Sequence, residues 1–330
     1  MKGGSKMNSI RTDLALEARE LYSQQGEYDI PGVKVDNEEK DDMIINRVNI
    51  DSVMGEQKLG KPKGNYITIE AGKIKDRDPE YEEKISYQIA QEIKNLVHID
   101  DKSSFLIVGL GNWNITADSL GPKVVDRIMV TRHILELMPD QIDERVRAVS
   151  AVAPGVLGIT GIETGEIIKG IVEKVKPDFV IAIDALASRR TDRIGTTIQI
   201  ADTGINPGSG IGNNRMGLSK ETLGAQTIAI GVPTVVYAHT IGRDSLKMLI
   251  DHFSSRTSKD SSFYTMLQNM DQDQLDQMVG EVLSDQIGDL VVTPKDVDVF
   301  IDDIAGIISD GLNLAMHKDI SLDEINTFLH

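Results

Sequence analysis

The sequence predicts an α/β fold: a mainly parallel sheet with helices on both faces, followed by a helical C-terminal extension over about 241–330. Three observations point there. From residue 105 onward, short apolar runs alternate with segments of helical period. The runs are continuous in Val, Ile and Ala, as expected of strands covered from both sides. After Ile241 the strand-like runs give way to helical patterns.

The elements follow in order. "RVNID" (47–51) and "YITIEA" (66–71) read as short strands in a hairpin-like lead-in, the second introduced by the turn-rich "LGKPKGN". From Asp78, the spacing of Tyr81, Ile85, Ile89, Ile93 and Leu96 gives one apolar helix face, with charges opposite. Then come strand "FLIVGLG" (105–111), a helix from Ser119 to Met138, strand "RAVSAVA" (147–153) and helix "GEIIKGIVEKVK" (165–176). Strands "FVIAIDALA" (179–187), "TTIQIAD" (196–202) and "TIAIGVPTVV" (227–236) complete the sheet, whose edge can be antiparallel. Between the last two lies a Gly- and Asn-dense loop, 203–224, long enough to be a lid or partner-binding loop. Helices are predicted over 243–253, 262–283 and 293–317, the last capped by Thr293 with Pro294 in its first turn. Met266, Met270 and Met278 read as core filler in the second of these.

Composition narrows the function. Lys plus Arg total 35 against 52 for Asp plus Glu, a formal charge of −17, which argues against nucleic acid or an anionic membrane as main partner and would attract a basic one. The absence of cysteine excludes thiol nucleophiles, disulfides and cysteine-ligated metals. With no signal-peptide core and no apolar run of about 18 residues, the chain reads as cytoplasmic.

The loop "GLGNWNITADSLGP" (109–122) has two readings. As a phosphate cradle, Gly109, Gly111 and Asn114 fill the slots of G-x-G-x-x-G, but the third is neither Gly nor Ala, and the next strand ends in Ala-Pro-Gly where a ribose-binding acid is expected. "GSGIGN" (208–213) opens no helix that could meet a phosphate. The other reading makes Asp118 a functional carboxylate; its rival is a helix N-cap, and the two stand level. Asp184, at the carboxyl end of "FVIAI", shifts the balance, because ligands of open α/β sheets bind outside the carboxyl ends of the strands. Two carboxyl groups brought together there cannot both ionise cheaply, so one holds a proton while the other acts as base on water, without a cofactor. Arg189, Arg190 and Arg193 are weaker candidates: Arg189, with Asn112 of the first loop, is a candidate contact for substrate or oxyanion, while a run of arginines also suits a solvated face or subunit contact. His239 follows a strand end and is a metal ligand or a structural residue. Neither G-x-S-x-G nor H-E-x-x-H is present.

These residues stand in long stretches, "GLGNWNITADSLGP", "VTRHILEL", "APGVLGITGIETGEII", "PDFVIAIDALASR", "GINPGSGIGN", "LSKETLG", "AIGVPTVV" and "VTPKDVDVFIDDIA", together with the N-terminal "IRTDLALEA". In them the sequence resembles the germination protease (spore protease) family. The resemblance implies an endopeptidase that degrades small acid-soluble DNA-protecting spore proteins, with two catalytic aspartates falling on Asp118 and Asp184, no metal and no cofactor. It also implies a zymogen that removes its own pro-segment, residues 1–13, ahead of a single domain over 14–330. The cut, after an acidic residue and before Leu-Ala-x-Glu, maps to Asp13 and Leu14, with Ala15 and Glu17 completing the pattern. The residues themselves also allow a helix start there, with Thr12 or Asp13 as cap and Leu14, Leu16 and Leu21 on one face. A homotetramer in the cytoplasm of the forespore or spore core is implied as well. The stretches 24–65 and 254–290 carry little of the resemblance.

Two other functions fit parts of the pattern. Hydrogenase-maturation endopeptidases resemble this arrangement and would use Asp118 and Asp184, with His239, as metal ligands. An acidic, non-catalytic protein that stores basic partners would suit the charge but leaves the converging aspartates unexplained.

Overall fold

The computed structural model describes residues 12–24, 30–206, 216–257, 261 and 290–329. The strands among them form one sheet. β1 (Val33–Lys40), β2 (Met43–Ile50) and β3 (Gly64–Glu70) make an antiparallel meander. β3 pairs antiparallel with β7 (Thr197–Ala201), and β7 pairs antiparallel with β8 (Gln226–Tyr237). From β8 the sheet continues in parallel through β6 (Phe179–Ser188) and β4 (Ser104–Gly109) to β5 (Ala148–Val152), while β9 (Val291–Val292) adds antiparallel to β8.

The sheet is therefore mixed, not mainly parallel: the parallel part is confined to the neighbourhood of β4, β5, β6 and β8. The reason lies in the connections. β1 and β2 are joined through Asp41 and Asp42, both at positive φ, and so short a link permits only antiparallel pairing. β1, "VKVDNEEK", is mostly exposed and its apolar alternation stops at Val33 and Val35, so pattern alone does not find it.

Alternate residues divide the sheet into two faces. On one, Ile45, Ile67, Ile69, Phe105, Ile107, Ile181, Ile183, Ile198, Ile200 and Ile230 meet α3 (Pro79–Leu96) and α10 (Val297–Met316) in the main core. α3 starts as the sequence predicts, with Asp78 accepting from the Glu80 N–H at 3.1 Å, and Tyr81, Ile85, Ile89 and Ile93 are buried. The other face packs Leu106, Val108, Val180 and Ala182 against α7 (Thr164–Val175), which follows the one-turn α6 (Leu157–Thr160), and against α8 (Lys220–Leu223). Farther along, Val48, Ile50, Tyr66 and Ala201 pack with Ala15 of α1 (Ala15–Gln24) and with Leu59 of α2 (Val53–Leu59). Helices thus cover both faces.

Two predicted helices are corrected. The stretch 119–138 is two short helices, α4 (Leu120–Val125) and α5 (Arg132–Leu137). Between them Thr131 is committed to β5: its N–H donates to the Val149 carbonyl, and its hydroxyl donates to the Arg147 carbonyl and accepts from the Val149 N–H. The last long helix starts after Asp296, not at Thr293, whose hydroxyl donates to the Thr234 carbonyl because β9 still holds the chain on β8. After β8, α9 (Ala238–Arg256) follows directly. Residues 1–11, the "GSGIGN" run and the predicted helix with Met266, Met270 and Met278 lie outside the described residues.

Candidate active site

Asp184 projects from β6, and Asp118 arrives on the loop after β4, one strand away. The loop is folded tightly. β4 and the start of α4 approach so closely that a Cβ on Gly109 would meet the Gly121 carbonyl oxygen at 2.2 Å. Gly111 takes φ +113°, where a Cβ would meet the Asp118 carbonyl oxygen at 2.0 Å. Glycines at 109, 111 and 121 therefore bring the aspartate's backbone onto the strand end, rather than cradling a phosphate. Asn112 belongs to the same fold of chain: its N–H donates to the Asp118 carbonyl at 2.9 Å, and its side chain accepts from the Asn114 N–H. Asp118 lies in a single 3-10 turn ahead of α4, whose cap position is Ser119.

Desolvation, followed by the Asp118 charge, pushes the Asp184 carboxyl well above the ordinary Asp value; the Ala185 N–H, donating at 3.0 Å, opposes this, and Asp13 adds to it. A carboxyl held protonated beside a second carboxylate is the arrangement an acid–base pair requires.

The strand end is also occupied by the chain's own N-terminal segment. β4 pairs with β6 only as far as Gly109 and Ile183, and the Leu110 N–H donates to the Ile183 carbonyl. Beyond that point the same edge of β6 binds residue 13: the Asp13 N–H donates to the Ala187 carbonyl at 3.3 Å, and the Ala187 N–H donates to the Asp13 carboxylate at 2.9 Å. Leu14, Ala15 and Glu17 are buried. The Ala15 N–H donates to Gln199 Oε1 at 2.7 Å. Glu17 accepts from the backbone N–H groups of Arg189 at 2.8 Å and Arg190 at 3.2 Å, pairs with Arg193 and accepts from the Thr12 hydroxyl. Thr12 also accepts from the Leu14 N–H, so it supports the turn into α1.

Of the residues expected at the site, Asp13, Asp118 and Asp184 lie close enough to interact, and Glu17 joins the same segment to the Arg189 backbone and the Arg193 side chain, with Leu14 and Ala15 buried between. Asp192 pairs with the Arg190 side chain. His239 stacks on Tyr237 at the start of α9. Among the described residues, no group of three or more His, Asp or Glu side chains is arranged to hold a metal ion, and no helix is long and apolar enough to cross a membrane. Two contributors were missed. Lys61, from the link between α2 and β3, donates to the Asp13 carbonyl at 2.8 Å and to the Thr12 carbonyl at 3.3 Å. Gln199 of β7 donates to the Asp13 carbonyl at 3.4 Å. Lys61 sits in the turn-rich "LGKPKGN", and only its pairing with a segment 48 residues away reveals it. Gln199 carries a fainter signal, a polar residue inside the apolar run "TTIQIAD".

A family model described as germination protease matches residues 12–265 and 255–329. Among curated relatives, a germination protease of Caldanaerobacter subterraneus subsp. tengcongensis is 52% identical over 321 residues, covering 97% of this chain and 98% of the relative. That of Clostridium tetani is 49% identical over 322 residues, 98% of this chain and 100% of the relative. A more distant one, from Bacillus thuringiensis subsp. konkukian, is 44% identical over 358 residues, 98% and 97% of the two chains.

Proposed function

The chain belongs to the germination protease family and is a peptidase, and we propose that it is made as a zymogen, cuts itself between Asp13 and Leu14, and then degrades small acid-soluble DNA-protecting spore proteins during germination. One observation carries this reading. The acidic-Leu-Ala-x-Glu pattern is docked on the strand that bears Asp184, with Asp13 near enough to raise the carboxyl of that residue.

In the proposed reaction Asp184 holds the proton of the pair and Asp118 carries the charge. Water attacks the carbonyl carbon of residue 13 and gives a proton to the Asp118 carboxylate. As the tetrahedral intermediate collapses, the C–N bond breaks and the nitrogen of Leu14 takes the Asp184 proton, leaving an acid and an amine. The two carboxyl groups have exchanged roles, and transfer of one proton between them restores the starting state. The N–H groups of Arg189 and Arg190 would receive the substrate's glutamate as they receive Glu17. The same reading makes the enzyme a homotetramer of the spore core, which light scattering tests: a monomer at working concentration would remove the tetramer.

The test is self-processing of the full chain, read by intact mass with and without a chelator. The wild type is expected to yield a new N-terminus at Leu14 regardless of chelator. Asp118→Asn and Asp184→Asn should each slow this by about 10³-fold or more. Sustained processing by either variant would sink the dyad, and loss of processing on chelation would favour a metal site.

A further inference from the structure

The carbonyl that a cut after residue 13 must attack accepts from two side chains, Lys61 and Gln199. Asp184, Gly231 and Gln199 are register partners on the neighbouring strands β6, β8 and β7, so Asp184 and Gln199 project from the same face on either side of a glycine. With strands about 4.8 Å apart, they flank a trough some two strand spacings wide. Leu186 leans over Gly231, where a Cβ would meet it at 2.4 Å, so the trough has an apolar floor. Residues 13–15 cross it. At the far side Gln199 bonds both flanks of the Asp13–Leu14 link, receiving the Ala15 N–H and donating to the Asp13 carbonyl, while Lys61 donates to that oxygen at 2.8 Å. Burial lowers the Lys61 pKa, and the Asp13 and Glu17 charges act against that fall.

We propose that Lys61 and Gln199 form the oxyanion site of this protease, binding the carbonyl oxygen of the residue before the cut, first in its own pro-segment and then in its substrates. The inference rests on the cut between Asp13 and Leu14 proposed above. When water adds to the carbonyl carbon, the C=O π pair moves to oxygen, and the charge develops against an ammonium and an amide N–H already in position. When that pair re-forms the C=O bond, the C–N bond breaks and the charge is gone; Lys61 keeps its proton throughout. Donors aimed at a developing charge in a water-poor site are worth about 10²–10³-fold in rate each. The arrangement divides the labour: the aspartates on one side of the trough move protons, and the lysine on the other holds charge.

The chain contains no cysteine, which makes a clean test possible on the full protein. Lys61→Cys can be alkylated to S-aminoethylcysteine, which restores the ammonium, or capped as the neutral S-methyl disulfide. Self-processing is read by mass, and docking of the segment by hydrogen exchange at the Ala15 amide. The capped variant is expected to process about 10²–10³-fold more slowly than the wild type while Ala15 stays protected, and aminoethylation should return the rate to within about tenfold. Gln199→Leu gives a second reading, with a loss toward the lower end of the capped variant's range because its bond to the Asp13 carbonyl is the longer of the two. Wild-type rates in the capped variant would overturn the oxyanion role, as would equal rescue by the neutral cap and the amine. If Ala15 protection and processing vanish together, Lys61 serves only to hold the segment and the proposal fails. A wild-type chain that never cuts at Leu14 would bring down the processing reading itself, and this inference with it.

Discussion

The two faces of the sheet are made by alternate residues of the same strands and are built on opposite terms. Toward α3 and α10 the central strands present Ile45, Ile69, Ile198, Ile200 and Ile230, all fully or almost fully buried. One residue away, the other face carries a polar row, Asn46, Thr68, Gln199, Gly231 and Asp184, in direct register across five strands. The first face is held by apolar burial under α3 and α10, which is non-directional. The second depends on what lies over it: residues 12–17 and α1 supply bonds to Gln199, Ala187, Arg189, Arg190 and Arg193. Even so, Thr68 Oγ1 remains buried without a hydrogen-bond partner among the described residues. The polar row gives up packing where residues 12–17 lie over it, and apolar clusters on either side of it complete that face.

If that division is right, the two faces should fail differently when cut. On the polar face Arg193 is the hub, 3% exposed and bonded to Glu17 at 3.2 Å, Glu20 at 2.6 Å and Glu70 at 3.4 Å. Arg193→Met leaves the buried Glu17 charge without its cation and should cost about 3–5 kcal/mol in urea unfolding, with loosening of α1 detected by hydrogen exchange. A loss below about 1 kcal/mol would mean that the charge cluster does not hold the segment down. On the isoleucine face Ile89→Val should cost only about 0.5–1.5 kcal/mol and leave self-processing at the wild-type rate. If so small a change in the core altered processing as much as it altered stability, the faces would be coupled and the division would break.

The same division governs what the sequence discloses. Elements whose residues obey one period could be read directly: the helix of Tyr81, Ile85, Ile89 and Ile93 and the runs that became β4, β6 and β8. Asp184 was legible because a carboxylate at the end of "FVIAI" breaks its run, and Asp118 because a glycine-rich turn led to it. β1 stayed hidden because only Val33 and Val35 give it an apolar side, and the antiparallel pairing of β7 with β3 and β8 leaves no mark in the strand's own residues. Thr293 misled because it is a good cap residue whose hydroxyl instead binds the sheet, and the break at Thr131 went unseen because its bonds are to β5, far along the chain. Lys61 could not be found from the chain in order; a lysine in a turn is ordinary until a distant backbone carbonyl is laid against it.

The smallest effect expected concerns the charge at the centre of the polar face. Burial and the Asp118 charge hold the Asp184 carboxyl above its ordinary value, so between about pH 3.9, where an unfolded Asp titrates, and its raised native value the folded chain binds a proton that the unfolded chain does not. Stability must then fall as pH rises through that window, because the native state holds more protons than the unfolded one. Asp184→Asn removes the titration. The variant and wild type should melt together near pH 4, and the variant should gain over the wild type by a few degrees as pH is raised toward 8. Melting curves measured in parallel across that range provide the check. A constant offset would mean that Asp184 is as comfortable ionised as any surface aspartate, and would leave the proposed dyad without the shared proton it requires.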